Sequence, residues 1–419
     1  MLDNSSNHRF SWLIPASLLL LSNAYAQSEH ELSGKAAVII SQSDAIAGPN
    51  SANMSRLEGD DAFDLSGQLQ LAYDYSNENW GFYSHLQLTD EGDSIHGNVG
   101  LVEMYGYYQF IPHDNRTVTL TMGQMFLPSS FENTEDFWDS PYSNNFSALN
   151  TWIAQEVRPI GLEVKYDWVA DEEEDFSAFG FGAMSFIGND SMGSQLTWRG
   201  WSVGRHKSVY GEILNLPEIA NIDSGIFAVQ RDDGSKPFGR DLDYKYGIVA
   251  HGYWSPNADL SFNVTFLDNN GSGELYRGEY AWATMFTILG AQWQINDNWT
   301  LLGETMNGKS SMGNPPIMGV GVEFETTYIL ANYRHEQWDY SVRVEQFDMV
   351  DGTLIPGESN DKGRALTLST RWQAFGKPWS IIGEVLFIDV GGQRTRLLDN
   401  GSFMDEDELQ MSLSLNYFF

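Results

Sequence analysis

The sequence predicts an all-β chain: a transmembrane antiparallel β-barrel of about 16–18 strands, with one long outer loop folded inward. Three observations predict it. The chain closes on a segment in which Met411, Leu413, Leu415, Tyr417 and Phe419 alternate with Gln410, Ser412, Ser414 and Asn416. It opens on what reads as an export leader and then contains no cysteine. Between these ends, short polar turns alternate with long polar loops. Period-two alternation means a strand, because successive side chains leave opposite faces. The closing strand alone also suits the edge of a soluble sandwich, so the rest of the chain has to decide.

Residues 1–26 read as a cleaved signal peptide. His8 and Arg9 give a basic edge, Phe10 to Leu21 is an apolar run interrupted by Pro15, and Ala24-Tyr25-Ala26 is a small-x-small cleavage site. The apolar run is shorter than the roughly 20 residues a spanning helix needs. Residues 27–419 are then the exported barrel. Without disulfides such a chain is held by backbone pairing and packing. No later stretch approaches a transmembrane helix, so a membrane form must close its strands on themselves to satisfy its backbone groups. The net charge of −34 excludes nucleic-acid binding through phosphates, which needs basic surface. The acids concentrate in runs such as Asp171–Asp175 and Asp405–Glu408, which read as solvated loops, with divalent-cation bridging to lipid phosphates as the sharper alternative.

In chain order, Gly34 to Ser41 is a weak strand. Asp64 to Tyr75 is the first clear one, with Leu65, Leu69, Leu71, Tyr73 and Tyr75 on one face. Trp80–Thr89, Val99–Phe110 and Arg116–Phe126 follow. After a long interruption, Leu127 to Val157, strand signal resumes at Arg158–Trp168, Phe176–Ile187, Gln195–Val203 and Ser208–Leu214. A polar stretch, Pro217 to Arg240, precedes Asp243–Trp254, Asp259–Leu267, Tyr280–Ile295, Trp299–Met306, Gly321–Tyr333, Tyr340–Phe347, Arg364–Ala374, Trp379–Ile388 and Leu409–Phe419. That makes about 18 strands, or 16 if the weakest fail; they lie before Asp64 and between Phe176 and Leu214.

The connections favour the membrane barrel over the sandwich. Short turns fall at Ser76–Asn79, Ile111–Asn115, Gly204–Lys207, Ser255–Ala258, Asn296–Asn298, Arg334–Trp338 and Phe375–Pro378, with long loops between them. An even strand count with this alternation is the pattern of a bacterial outer-membrane barrel, short turns to the periplasm and long loops outside. Val169–Asp175 misfits, being too long and acidic for a periplasmic turn. Three segments share a [Trp/Lys]-[Ser/Thr]-x-x-Gly-Glu form, starting at Lys207, Trp299 and Trp379. The tryptophans suit an interfacial belt. Glu212, Glu304 and Glu384, five residues on, face the lumen, because a carboxylate toward lipid costs a few kcal/mol near the midplane. They read as partners of wall arginines such as Arg343 and Arg371, or as selectivity residues.

The segment Met122 to Val164 carries the strongest motif. It leaves a strand through Gly123 and Pro128, is dense in aromatics and acids, and re-enters through Arg158-Pro159-Ile160-Gly161. A loop this long inside a compact fold is functional, and on the outer side of a barrel it can fold inward and narrow the lumen. Here the chain resembles the phosphate-selective porin O and P family. In that family a Gly-x-x-x-x-Pro stretch with a following Glu leaves a strand, and Arg-x-x-Gly enters the next. The matching positions are Gly123, Pro128, Glu132, Arg158 and Gly161. The resemblance implies a homotrimeric outer-membrane channel passing small anionic solutes along a ladder of lumen bases. The 23 basic residues here form no such ladder, so the fold and channel role carry over and the phosphate substrate does not.

The expected function is passive diffusion of small hydrophilic solutes or ions, with a constriction at Glu132, Glu135, Asp136, Asp139 and Arg158. Acids outnumber bases there, which suggests mild cation preference. A sugar- or oligosaccharide-specific channel is the alternative, with Tyr83, Tyr105, Tyr107 and Trp201 as lumen aromatics. A barrel hydrolase is a further alternative, resting on Gly92-Asp93-Ser94 in an outer loop that lacks the strand-to-helix elbow of a nucleophile. A structural or adhesive barrel without an open lumen is the last. No cofactor or metal spacing is present. Expected partners are outer-membrane lipid and lipopolysaccharide, the solute, and the barrel-assembly machinery. Tyr417 and Phe419 resemble the C-terminal signal which that machinery reads.

Overall fold

In a computed structural model, residues 28–44, 56–57, 63–90, 96–170, 176–217, 227, 234–314, 318–352, 360–373, 378–389 and 407–419 are described. The expected leader 1–26, the run Asp171–Asp175, Asp405 and Glu406 of the second acidic run, and Gly92-Asp93-Ser94 lie outside them. The chain forms β1 (Glu29–Ser43), β2 (Phe63–Ser76), β3 (Trp80–Thr89), β4 (Val99–His113), β5 (Arg116–Gln124), α1 (Ala148–Glu156), β6 (Ile160–Val169), β7 (Ala178–Ile187), α2 (Ser194–Arg199), β8 (Gly247–Asn257) and β9 (Leu260–Asp268). A small hairpin, β10 (Leu275–Tyr276) with β11 (Glu279–Tyr280), follows. The remaining strands are β12 (Ala283–Gln294), β13 (Trp299–Asn314), β14 (Met318–His335), β15 (Trp338–Asp351), β16 (Asp361–Trp372), β17 (Trp379–Asp389) and β18 (Glu408–Phe418).

All strands but β10 and β11 close one antiparallel barrel of 16. The closing strand pairs with the first, from Lys35 opposite Phe418 to Ser43 opposite Gln410, so neither edge is left open. Phe419 completes the seam: its N–H donates to Gly34 O at 2.9 Å, and its carbonyl accepts from Gly34 N at 2.8 Å. A Cβ on Gly34 would overlap the Phe419 ring, so only glycine admits that ring. No helix among the described residues is long and apolar enough to cross a membrane; the strands do the crossing.

The expected alternation holds on the outer face. Met411, Leu413 and Leu415 are exposed, while Gln410, Ser412, Ser414 and Asn416 are buried inside. Aromatic rings gather at the short-turn end: Trp299 lies 4.8 Å from Tyr333, Trp338 stacks on Trp372 at 5.6 Å, and Trp379 lies 4.6 Å from Tyr417. Such a girdle marks a membrane interface.

The strand count resolves to 16 because two expected strands are not strands. Gln195–Val203 forms α2 and an extended tail, and Ser208–Leu214 is a turn with one isolated bridge, Leu214 to Ser235. The expected turn at Gly204–Lys207 therefore joins no strands. The Lys207 copy of the repeat also leaves the wall, whereas Trp299 and Trp379 start β13 and β17 as expected. The reason is physical. Apolar side chains at every second position need a cover, and here the cover is the inside of the barrel rather than lipid.

Candidate functional site: the barrel lumen

Two long connections enter the lumen. The first insertion, 125–159, joins β5 to β6; the second, 188–246, joins β7 to β8. The first turns in at Gly123, whose φ of +146° suits glycine and whose missing Cβ would meet the Met104 carbonyl and Tyr105. It runs down past Trp138 and returns through α1. Ser147 caps that helix, its hydroxyl accepting from Asn150 N at 3.2 Å.

Wall and loop carboxylates hold this insertion by its backbone. Glu103 accepts from Phe126 N at 2.7 Å, Glu345 from Ala148 N at 2.8 Å, and Glu384 from Asn144 N at 2.7 Å. Glu304 accepts from Phe131 N and, at 3.0 Å, from Asn150 Nδ2. Glu132 accepts from Ser147 N at 3.0 Å. Two of these carboxylates, Glu132 and Glu345, meet the first turn of α1, where helix N–H groups lack intrahelical partners and negative charge is favoured. Arg343 ties them together. Its Nη1 lies 2.5 Å from Glu132, its Nε 3.1 Å from Glu345, and it donates further to the carbonyls of Asn145 and Phe146. All of this is buried, where such a network is worth much when fully satisfied and is costly when broken.

The second insertion rests on the first. Glu156, the last residue of α1, accepts from the backbone N–H of Gly193, Gln195 and Leu196 around the start of α2, and from Trp152 Nε1 at 2.7 Å and Ser235 Oγ at 2.6 Å. Burial pushes the Glu156 carboxyl above the usual range, and these donors oppose that. Lys207 of the second insertion is fully buried; it donates to Phe137 O at 2.9 Å and forms an ion pair with Asp139. Burial lowers Lys207 to about 8 against the pull of Asp139. Burial would raise Asp139, but Lys207 and Lys35, the latter at 2.8 Å, hold it well below the usual range. The wall contributes Asp361, which accepts from Trp201 N at 2.9 Å and pairs with Arg56 at 2.6 Å.

Above this polar layer the lumen is an apolar core. Trp152, Ile153, Leu149, Met192, Leu196, Trp201 and Val203 of the insertions pack against Phe286, Met306, Phe324, Phe347 and Leu386 of the wall. Trp152 meets Phe286 at 5.2 Å and Phe324 at 5.3 Å. On these strands the inner face of the long-loop half is therefore largely apolar.

The constriction candidates lie inside the barrel with unequal roles. Glu132, Glu135 and Asp139 are each paired with a base; Arg371 takes Glu135. Asp136 is exposed and has no basic partner among the described residues. Arg158 is fully buried, stacked 3.4 Å over the Phe126 ring, with its Nη2 donating to Ala154 O at 2.8 Å. Glu304 and Glu384 grip the first insertion rather than forming the expected direct pairs with Arg343 and Arg371. Glu212, expected on a wall strand, sits in the second insertion, accepting from Val209 N at 2.8 Å and contacting His206 at 2.6 Å. Trp201, expected as a lumen-lining strand residue, is sealed in the apolar core with no solvent exposure. Tyr83, Tyr105 and Tyr107 do face inward at the short-turn half, and the Tyr83 and Tyr105 rings are 5.3 Å apart. Sequence reading missed Glu103, Glu156, Glu345, Asp361, Lys35 and Lys207. Arg343-x-Glu345 was the readable signal, since period two puts both charges on one face.

Between the tip of the first insertion and the wall of β1, β2, β17 and β18 a polar cleft remains. Lys35, Gln68, Ser143, Asn144, Arg205 and Asn416 are among its lining, and its free volume is about 30 Å³, room for a single water.

A closed 16-strand antiparallel barrel, apolar outside and with a loop folded into its lumen, has the architecture of an outer-membrane β-barrel. No family model matches the sequence, and no curated protein matches it. Solved structures match along almost the whole chain. The anion-selective porin from Comamonas acidovorans is 12% identical, covers 94% of this chain and 100% of its own, and superposes with a TM-score of 0.53. A loop-deletion variant of OmpT, an outer membrane protein of Vibrio cholerae, is 9% identical with coverage of 94% and 99% and a TM-score of 0.53. The outer membrane channel DcaP of Acinetobacter baumannii is 10% identical, with 94% and 97% covered and a TM-score of 0.52. At these identities the likeness establishes the fold.

Proposed function

We propose that the chain is a passive diffusion channel of the bacterial outer membrane for small hydrophilic solutes and ions, mildly favouring cations. The short turns face the periplasm and the long loops face outside. The observation that carries the reading is the charge left on the inner face of the short-turn half of the barrel, beside the first insertion. Next to the aromatic inner face of β3 and β4, Asp74 and Asp136 have no basic partner among the described residues, while Arg343 and Arg371 are paired with carboxylates and Lys35 and Lys207 share Asp139. Free carboxylates at a narrow passage favour cations. The same neutralisation argues against a phosphate ladder. A homotrimer belongs to this reading, as the family resemblance implies.

Planar-bilayer recording tests it. The expected result is a small single-channel conductance and a reversal potential of cation sign in a salt gradient; clear anion preference would overturn the reading. The sugar-specific alternative is favoured by one observation, the inward tyrosine pair Tyr83 and Tyr105. It requires sugars to block the current, and a flat response across mono- and oligosaccharides removes it. Chemical cross-linking of detergent-extracted protein checks the trimer.

A further inference from the structure

On most of the circumference the outward face stays apolar up to the loops. β2 ends its outward row with Leu65 and Phe63, and β3 with Leu88. The flank from β12 to β16 is different. Register places Asn307, Glu325, Asp348 and Lys362 in one row across it, Lys309 and Glu323 in the row above, and Gln346 and Arg364 in the row below. All are outward positions. Among the described residues, Lys309, Lys362 and Arg364 are the whole set of outward strand bases above the aromatic belt. In a chain of net charge −34, that clustering points to an anionic partner. Among the described residues Lys309 and Arg364 have no ion pair, and Lys362 only a long one, 3.5 Å to Asp348; the register sets Asp389 opposite Arg364.

Their height identifies the partner. Trp299 and Lys309 lie on one strand about ten residues apart, as do Trp372 and Lys362. At about 3.3 Å per residue and a tilt near 40° that is roughly 25 Å, the height of an outer-membrane apolar band. With the tryptophans at one interface, the bases sit at the headgroup level of the other. A groove of about 460 Å³ opens there, lined by Lys309, Glu323, Glu325 and Asp348 together with apolar Phe266, Met285 and Val350. Glu325 faces Asp348 directly across the sheet, a like-charge placement that is unfavourable alone and relieved by the divalent counter-ions an anionic headgroup brings.

We propose that this flank binds the phosphorylated headgroup of an outer-leaflet glycolipid, with Lys309, Lys362 and Arg364 on phosphate and the groove against an acyl chain. The assignment rests on the outer-membrane reading and not on conduction. The test uses the full mature chain in detergent, with native mass spectrometry against bisphosphorylated lipid A plus Mg²⁺ and against dephosphorylated lipid A. The triple variant Lys309→Gln, Lys362→Gln, Arg364→Gln is compared with wild type. Heat-modifiable gel mobility checks folding, single-channel conductance is read on the same samples, and the single variant Lys309→Gln stands in should the triple variant not fold. Retention of bisphosphorylated lipid should fall by about tenfold to a hundredfold in the triple variant, with the dephosphorylated form weak throughout. Equal retention by wild type and variant overturns the proposal, as does equal retention of the phosphate-free lipid. Loss of the oligomer with lipid retention unchanged overturns it too and makes this flank an interface between copies. Conduction lost with lipid retention intact counts against the channel reading alone.

Discussion

The two insertions occupy the same lumen but are held there differently. Four wall glutamates, Glu103, Glu304, Glu345 and Glu384, accept directly from backbone N–H groups of the first, and wall Arg343 and Arg371 take its acids. The second is held chiefly by the first, through Glu156, Lys207 and a reciprocal pair between Thr151 and Gly204, with single wall contacts from Asp361, Asp348, Thr284 and Gln87. The difference implies a hierarchy. The wall organises the first insertion, and the first insertion organises the second. Charge inside this barrel serves mainly to fix backbone, and little of it is left free to act on a passing solute.

The hierarchy breaks most visibly at Arg343. Arg343→Met leaves Glu132 and Glu345 buried without their base and should cost about 3–5 kcal/mol in urea unfolding. Amide exchange should rise across both insertions, and conductance should increase as the cleft widens. Faster exchange confined to the second insertion would contradict the hierarchy.

Glu156→Gln sharpens it from the other side. Several donors lose a charged acceptor, at about 1–3 kcal/mol. Exchange should speed up over 188–217 and stay unchanged over 125–147; a matching rise in the first insertion would mean the two stand or fall together.

The Lys207 and Asp139 pair measures the link itself. A double-mutant cycle with Lys207→Met and Asp139→Asn should return a coupling of about 0.5–3 kcal/mol. No coupling would mean the insertions are joined by apolar packing alone.

The smallest effect concerns the outer end of the second insertion. Asp190 accepts from Leu242 N at 2.5 Å, and burial raises its carboxyl to about 6. A carboxyl raised in the folded state binds more protons there than in the unfolded chain. Its contribution is therefore full below the unfolded value and is lost as pH rises through about 6. Local exchange near 190 and 242 should be slower at pH 4 than at pH 7, and Asp190→Asn should flatten that slope. A slope of the opposite sign would rule out this account.

The barrel was legible in the sequence because a wall strand repeats every second residue and lipid demands an apolar outer set at each repeat. Leu413 and Leu415, the turn at Asn296–Asn298 and the tryptophans that start β13 and β17 carry that pattern whatever the neighbours are. The first insertion was legible from Gly123, Pro128 and its length. Its grip was not, because whether Glu304 meets an arginine or a backbone N–H depends on how far the loop descends. The second insertion misled. Gln195 to Leu214 carries spaced apolar residues like a strand, yet Trp198 and Trp201 are buried against other side chains.

By itself the sequence determined the barrel, its orientation pattern and the inward loop, since these follow from local periodicity, turn chemistry and the cost of open backbone in lipid. Only the tertiary structure decided what fills the lumen and which charges remain free. Those depend on contacts between residues a hundred or more positions apart, such as Arg343 with Glu132 or Arg371 with Glu135, and no local pattern encodes which distant partner a buried side chain will meet.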